Sequence, residues 1–377
     1  MSNLLEINNL SVDFPSRRGQ VAAVNKVSIS VAKGEVLGLV GESGAGKSTV
    51  GNSVINLLEP PGYISGGEII FDGTRIDKMS NEEMRKIRGA KIGTIFQDPQ
   101  TSLNPLMTIG KQLSETLIET LKISGSSALQ KSVELLDSVG IPNPDQRLNA
   151  YPHQFSGGMR QRVVIALALA GDPDLVIADE PTTALDVSIQ KQILDLIKSL
   201  CKQRNLGVII VTHDIGVIAE IADRVAVMYN GQLVEEGKVR QVLQKPKHDY
   251  TKSLISAVPS GDQKLDRFTV VDYIDGSEEK NSISNVSEHW LSKTKSLEAH
   301  QTAISVENLS IEFSIRKALL RKNRIMLKAV DDVSIEIQTG ESFGLVGESG
   351  SGKSTLARLI AGLYTPKSGG INIFGHN

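Results

Sequence analysis

The sequence of 377 residues has a single cysteine, Cys201. One thiol excludes a disulfide framework and any four-cysteine zinc or iron–sulfur site, and it is typical of a reducing compartment. Acidic and basic residues nearly balance, 43 against 41, so the composition indicates no nucleic-acid partner. No apolar run approaches the roughly 20 residues that cross a bilayer, and the N-terminus lacks a signal-peptide pattern. We therefore expect a soluble chain that meets a membrane only through peripheral contacts.

An internal repeat organises the chain. Three segments recur in the same order, namely NNLSVDF at 8–14 and ENLSIEF at 307–313, GLVGESGAGKST at 38–49 and GLVGESGSGKST at 344–355, and SGGEIIFDG at 65–73 and SGGINIFG at 368–375. We predict a complete domain over 1–260, a polar linker over 261–302, and the N-terminal fragment of a second domain over 303–377.

Short apolar runs alternate with helical periodicity in the first copy. The runs Val36–Val40, Leu175–Ala178 and Val208–Val211 are predicted to be buried parallel strands. The pattern becomes helical between about 98 and 160, which we interpret as an insertion into an open α/β sheet. Ser80 and Glu83 have the spacing of a helix-capping box.

A glycine-rich phosphate loop follows the first of these runs. The pattern G-x-x-x-x-G-K-[ST] is met by Gly41, Glu42, Ser43, Gly44, Ala45, Gly46, Lys47, Ser48 and Thr49. Glycines let backbone N–H groups surround a polyphosphate, the lysine reaches the phosphates, and the serine hydroxyl is a ligand for Mg²⁺. The same pattern returns in the second copy as Gly347, Glu348, Ser349, Gly350, Ser351, Gly352, Lys353, Ser354 and Thr355.

Two carboxylates end the second apolar run. Asp179 is predicted to hold Mg²⁺, a hard cation that takes one or two carboxylates together with phosphate oxygens. Glu180, which points the other way along a strand, is predicted to polarise a water molecule for attack on a phosphate.

A further segment indicates which kind of phosphate-loop protein this sequence resembles. The octapeptide Phe155–Arg162, FSGGMRQR, resembles the signature motif of ABC-type ATPases. Gln97 in IFQDP resembles the Q-loop of that family, Ala184-Leu185-Asp186 its D-loop, and His213 its switch histidine. This resemblance implies an α/β fold, a P-loop NTPase ABC nucleotide-binding domain with a helical subdomain, plus a partial second copy.

The resemblance also implies residue roles. Glu180, His213 and Gln97 would be catalytic, and Ser48, Gln97 and Asp179 would serve the metal. ATP would be clamped between two domains arranged head to tail, with Asp186 also binding the nucleotide. Ser156, Gly157 and Gly158, which would precede a helix from about Met159 to Ala170, would reach the γ-phosphate of the partner. Phe14, repeated as Phe313, is the candidate for stacking on adenine. The implied cofactors are ATP and Mg²⁺.

The finer resemblance is to the oligopeptide, dipeptide and nickel importer branch, through FQDPQTSLNP at 96–105 and KPKHDYTKSLISAVP at 245–259. It implies integral membrane permease subunits and a solute-binding protein as partners, at the cytoplasmic face of the plasma membrane. The second copy lacks the glutamate pair, signature and switch histidine, so hydrolysis is expected only in the first. The second nucleotide-binding domain would come from a homodimer or a separate subunit. Two alternatives stay open: a remnant that binds nucleotide without productive transport, and a non-transport ABC ATPase.

Overall fold

The computed structural model describes residues 3–16, 19–183, 185–257, 302–314, 326–348 and 350–376. The chain divides into two compact units, Met1–Ser277 and Glu278–Asn377. The predicted linker, 261–302, lies outside the described residues apart from Thr302. Among the helices that the structure describes, none combines the length and apolarity that a membrane crossing needs.

The first unit alternates strands and helices. In chain order they are β1 (Asn3–Ser16), β2 (Gly19–Ala32), β3 (Val36–Val40), α1 (Lys47–Val54), β4 (Tyr63–Phe71), β5 (Thr74–Arg75), α2 (Asn81–Ile87), β6 (Ile92–Ile95), α3 (Pro99–Ser102), α4 (Ile109–Leu121), α5 (Gly125–Ser138), α6 (Pro144–Arg147), a 3₁₀ turn (Pro152–Gln154), α7 (Gly157–Leu169), β7 (Leu175–Asp179), α8 (Val187–Arg204), β8 (Gly207–Thr212), α9 (Ile215–Ile221), β9 (Arg224–Tyr229), β10 (Gln232–Lys238), α10 (Val239–Gln244) and α11 (Asp249–Ser256).

A six-stranded sheet, ordered β10-β9-β3-β8-β7-β6, is the framework of this unit. All neighbours except β9 and β10 are parallel. Alternate residues of β3 lie in two different cores, with Leu37 and Leu39 on one face and Val36 and Val40 on the other. Side chains on both faces of β3 are therefore buried, as expected for a continuous apolar run. The three predicted strands are confirmed as β3, β7 and β8.

A second sheet, antiparallel and ordered β2-β1-β4-β5, was not among the sequence predictions. Its buried side chains alternate in two stretches of β1, Leu5 with Ile7 and Leu10 with Val12, on either side of a register shift. The carboxylate of Asp77 fixes its edge by accepting from the Ile69 N–H at 2.9 Å and from the Arg75 guanidinium at 3.0 Å. Burial raises the pKa of Asp77, but these hydrogen bonds outweigh it and hold the pKa below its usual value.

Helices α3 to α6 lie within the segment of about 98–160 that the sequence predicts as a helical insertion. Its long helices α4 and α5 are capped by the side chains of Thr108 and Ser124, which accept from backbone N–H groups. The Ser80–Glu83 capping box is also present, at the start of α2. These caps are local in sequence, so they were predictable from spacing alone.

Helix α7 begins earlier than expected. The sequence suggested a start near Met159, but the helix starts at Gly157 because Ser156 is its N-cap and accepts from the Met159 N–H at 3.3 Å. Both glycines of the signature segment consequently belong to the first helical turn. The apolar second half of α7 is buried in the core.

The second unit has four described elements, which are β11 (Thr302–Ser314), β12 (Met326–Gln338), α12 (Lys353–Ile360) and β13 (Ser368–Ile373). Its antiparallel sheet, ordered β12-β11-β13, repeats the arrangement of β2, β1 and β4. Its core consists of six buried residues, namely Val306, Leu309, Ile311, Val330, Leu356 and Leu359. Residues 341–348 between β12 and α12 form no described strand, and Val346 is 90% exposed.

Candidate functional site

The phosphate loop joins β3 to α1 at the carboxyl edge of the parallel sheet. Gly41 has φ +153° and Gly46 has φ +93°. A Cβ at Gly41 would lie 2.2 Å from the Met228 carbonyl oxygen, and one at Gly46 would lie 2.4 Å from that of Ala23. Glycine is therefore required at both positions by backbone conformation and by close approach. Lys47, Ser48 and Thr49 form the first turn of α1, so the loop presents a helix N-terminus to an anion.

The side chain of Lys47 bonds back to the start of the phosphate loop. Its Nζ donates to the carbonyl oxygens of Gly41 at 2.8 Å and Glu42 at 2.7 Å. The side chain is buried, which lowers the pKa of Lys47 although the carboxylates of Glu180 and Asp179 act in the opposite direction. The ammonium group is thus held at the loop, where a phosphate would be its natural counter-charge.

Ser48 and Asp179, both predicted to hold the metal, are in direct contact. The Ser48 hydroxyl donates to Oδ1 of Asp179 at 3.1 Å. Burial raises the pKa of Asp179, although the hydrogen bond from Ser48 opposes the shift. A hydroxyl oxygen and a carboxylate oxygen this close are hard donors of the kind that Mg²⁺ takes, so these residues fit the expected metal.

Glu180 is the centre of a cluster of polar side chains. Its Oε2 accepts from the Gln97 amide at 2.8 Å and from the Thr183 hydroxyl at 2.9 Å, and its Oε1 lies 2.8 Å from Nδ1 of His213. The backbone of Glu180 has φ +45°, which is uncommon for a residue with a side chain. It turns the carboxylate away from the strand direction that Asp179 follows.

The hydrogen bonds decide the charge of Glu180. Burial raises its pKa, but the bonds from His213, Thr183 and Gln97 outweigh that effect and keep the pKa of Glu180 below the ordinary value. The group is consequently an ionised carboxylate at neutral pH, oriented on both oxygens. Gln97 donates through its amide nitrogen to Glu180. That Gln97 also binds the metal remains a prediction.

The signature residues form a separate group. Ser156 is exposed at the N-terminus of α7. A Cβ at Gly158 would lie 2.6 Å from Cγ2 of Ile189, and one at Gly157 would lie 3.8 Å from Leu185. The start of α8 therefore packs directly on these glycines. Asp186, the N-cap of α8, follows Leu185 and so lies close to the signature, as the predicted D-loop; Ala184 lies outside the described residues.

The two aromatic candidates have packing partners. Phe14 is half-buried near the end of β1, and a Cβ on Gly62 would lie 2.5 Å from its ring. Phe313 is 37% exposed and makes an edge contact with Tyr364, with ring centroids 5.5 Å apart. Each ring therefore supports its own sheet, and stacking on adenine stays a prediction for both.

The second phosphate loop has nearly the same conformation as the first. The three glycines of 41–46 have φ of +153°, +85° and +93°, and those of 347–352 have +152°, +85° and +96°. Lys353 donates to the carbonyl oxygens of Gly347 and Glu348 at 2.7 Å each. Ser354 and Thr355 lie in the first turn of α12, and Ser349 lies outside the described residues. Among the described residues, the second unit thus holds a formed loop without counterparts of Asp179, Glu180 or His213.

Two polar contacts of the site were not predicted. Thr183 follows Glu180 by three residues, and a threonine at that spacing in a turn is a signal that sequence alone offers. Tyr250 contacts the loop from 208 residues away, through a hydrogen bond from the Glu42 N–H at 3.0 Å. No periodicity or motif spacing reveals a contact over such a distance.

Two family models match the sequence. The model described as ABC transporter matches residues 24–183 and 330–377, so it recognises both copies of the repeat. The model described as oligopeptide/dipeptide transporter, C-terminal region, matches residues 234–283, which include α10, α11 and most of β10.

Curated relatives extend these matches. The oligopeptide transport ATP-binding protein OppD of Bacillus subtilis (strain 168) is 51% identical over 270 residues, covering 70% of this chain and 75% of the relative. The glutathione import ATP-binding protein GsiA of Escherichia coli (strain K12) is 42% identical over 384 residues, covering 98% of this chain. The chain spans 60% of the length of that relative.

Solved structures resemble this chain over about two thirds of its length. A dimeric post-hydrolysis state of the ATP-binding cassette MJ0796 bound to ADP and Pi matches with a TM-score of 0.56 and 31% identity, over 63% of this chain and 99% of that one. CbiO1 from Clostridium perfringens, part of the ABC transporter complex CbiONQ, matches with a TM-score of 0.57 and 28% identity, over 65% of this chain and 92% of that one. These likenesses confirm the predicted α/β nucleotide-binding fold.

Proposed function

The chain belongs to the ABC transporter family, and on that premise we propose that its first unit binds ATP between two cassettes and hydrolyses it to drive an importer. The family model and the relatives confirm the family that the motifs predicted. The observation that carries the proposal is the Glu180 carboxylate, oriented by Gln97 and His213 at 2.8 Å each beside a formed phosphate loop.

Each part of the site has a role in phosphoryl transfer. The loop and Lys47 bind the β- and γ-phosphates. Glu180 accepts a proton from a water molecule, whose oxygen forms a bond to the γ-phosphorus while the bond to the bridging oxygen breaks and leaves ADP and phosphate. His213 and Gln97 hold the carboxylate in register with that water. Ser48 and Asp179 would hold Mg²⁺, which when bound neutralises charge on the phosphate oxygens.

A second cassette completes the nucleotide site. Ser156 and the first turn of α7 present N–H groups and a positive helix end to an anion, which in this proposal is the γ-phosphate held by the partner. The dimeric state of the similar cassette MJ0796 supports this arrangement. ATP then joins the two cassettes, and hydrolysis removes the charge that bridges them.

The cargo class follows from the C-terminal region. Residues 234–283 match the oligopeptide/dipeptide model, and the relatives are named for oligopeptide and glutathione transport. We therefore assign the chain to a peptide importer, with integral membrane permease subunits and a solute-binding protein as partners, peripheral to the cytoplasmic face of the membrane.

The second unit has a different role in this proposal. Residues 302–314, 326–348 and 350–376 include a phosphate loop but no residue that corresponds to Glu180, so in this proposal turnover belongs to the first unit. We propose that the second cassette is supplied by another copy of this chain or by a separate subunit. If the remnant alternative were right instead, the chain would bind nucleotide and show no turnover at any protein concentration.

Complementation between two variants tests the proposal. Glu180→Gln and Ser156→Ala should each lower ATP turnover by about 10²-fold or more, because one removes the base and the other a contact to the γ-phosphate. Mixing them should restore roughly a quarter of the wild-type rate, since a mixed dimer has one intact and one doubly altered site. Both variants should still bind ATP.

The matched control is Ser256→Ala, which removes a serine hydroxyl that bonds only within α11 and should leave turnover unchanged. Mixing that restores nothing would refute the sharing of sites between chains. Full turnover by Glu180→Gln alone would refute the role of the carboxylate.

A further inference from the structure

We propose that Tyr250 is a positioning residue for the phosphate loop, acting through the backbone of Glu42. The inference rests on the proposed function and adds a contribution of the C-terminal region to nucleotide binding. Tyr250 lies in the first turn of α11 and is fully buried. Its hydroxyl accepts a hydrogen bond from the Glu42 N–H at 3.0 Å.

This hydrogen bond acts on the peptide unit that holds Lys47. The N–H of Glu42 and the carbonyl of Gly41 belong to one planar peptide group. Tyr250 fixes the nitrogen side of that plane, and Lys47 Nζ binds its oxygen at 2.8 Å. Rotation of the plane would break both bonds together, so the tyrosine hydroxyl restrains the site from which the lysine reaches a phosphate.

The sequence of the loop leaves freedom that such a restraint can reduce. Gly41, with φ +153°, gives the backbone on the other side of this peptide unusual freedom. The next carbonyl, that of Glu42, is already shared between Lys47 Nζ at 2.7 Å and the Ala45 N–H at 3.1 Å. A rigid loop loses less entropy when it closes on a ligand, which favours tight binding.

Tyr250 is itself held from two directions. Its ring lies against that of Tyr229 at the end of β9, with centroids 4.3 Å apart. The turn into α11 is fixed by the Glu235 carboxylate, which accepts from the N–H groups of Lys247 at 2.9 Å and His248 at 3.0 Å. Nδ1 of His248 then accepts from the Tyr250 N–H at 3.2 Å. A continuous series of contacts therefore runs from β10 through α11 to the loop.

The second copy limits the size of the expected effect. Its loop reaches nearly the same φ angles although α11 has no counterpart among residues 302–314, 326–348 and 350–376. The tyrosine is therefore not needed to select the loop conformation, and its hydroxyl instead reduces departures from it. A change in nucleotide affinity of about tenfold is the appropriate scale for one buried hydrogen bond.

The test compares two variants of the full-length protein. Tyr250→Phe removes only the hydroxyl and keeps the ring against Tyr229. Leu254→Ala truncates a buried side chain of the same helix. A leucine side chain makes no hydrogen bond, so this variant reports the loss of packing alone. Steady-state ATP turnover gives KM and kcat, titration calorimetry gives the Kd for MgADP, and thermal unfolding gives Tm.

Tyr250→Phe should raise KM for ATP and Kd for MgADP about tenfold while kcat stays within twofold, because the chemical groups at Glu180 are untouched. Leu254→Ala should lower Tm at least as much as Tyr250→Phe does, with less than a twofold change in the Kd for MgADP. The proposal is overturned if Tyr250→Phe leaves Kd within twofold, or if Leu254→Ala weakens MgADP binding equally. The Kd comparison stands even if the wild-type protein fails to hydrolyse ATP, which would count only against the proposed function.

Discussion

Residues 36–40 and 342–346 occupy the same place in the repeat and adopt different structures. In the first unit they form β3, in which Leu37 and Leu39 are fully buried. In the second unit the corresponding segment forms no described strand, and Val346 is 90% exposed. The difference lies in the neighbours, since β3 is held between β8 and β9, whose residues come more than 160 positions later.

The phosphate loops that follow these two segments scarcely differ. Their glycine φ angles agree within 3°, and each lysine binds the same two carbonyl groups. The two hydrogen bonds of each lysine are made within seven residues of the chain and so depend on local sequence, whereas a parallel strand depends on distant partners. Formation of a phosphate loop is therefore a weaker sign of function than the sheet that supports it.

Amide hydrogen exchange should show the largest difference between the two copies. The amides of residues 37–40 should exchange only through unfolding of the first unit, and those of 342–346 should exchange almost freely, a contrast of about 10⁴-fold. Mass spectrometry of peptides from the intact chain measures both in one experiment. Equal protection of the two segments would mean that the second strand finds a partner in solution.

Substitution of the two loop lysines should give the second largest difference between the copies. Lys47→Ala should lower kcat/KM for ATP by about 10²- to 10³-fold, because it removes the charge that stabilises the transferred phosphate. Lys353→Ala, the matched change in the second loop, should alter kcat/KM by less than about twofold. A comparable loss in both variants would show that the second loop takes part in turnover.

A matched pair of leucines tests the packing difference. Leu39→Ala should reduce the free energy of unfolding by about 3 kcal/mol, because it leaves a cavity in a fully buried sheet. Leu345 is 42% exposed, so Leu345→Ala should cost less than about 0.5 kcal/mol. Urea unfolding followed by circular dichroism gives both values. A large cost at Leu345 would reveal burial absent from this structure.

The smallest effect concerns the edge of the antiparallel sheet. Asp77 has a pKa below its usual value, so its ionised form contributes stability above the ordinary carboxyl pKa of about 4, and that contribution is lost as pH falls through the lowered value. Asp77→Asn should lower stability by about 1 kcal/mol at pH 7, with a smaller difference near pH 3. Thermal unfolding at several pH values measures the trend, and a difference that grows on acidification would contradict it.

Local patterns explain what sequence analysis could predict. Spacing alone identified the phosphate loops, the three central strands and the Ser80–Glu83 capping box, because each depends on residues close in the chain. The predicted start of α7 at Met159 is two residues late, since glycine is a poor helix former and Ser156 caps the helix. Contacts that join distant segments, such as Tyr250 with Glu42, had no local signal at all.

The order of β3 in its sheet has a consequence for synthesis on the ribosome. Residue 40 emerges long before residue 229, which completes β9, and at roughly 5–20 residues per second the interval is on the order of ten seconds or more. During that time the nascent strand has neither neighbour and must leave its apolar side chains open to chaperones. The exposed, unpaired conformation of residues 342–346 therefore resembles the state that residues 36–40 adopt before β8 and β9 have been synthesised.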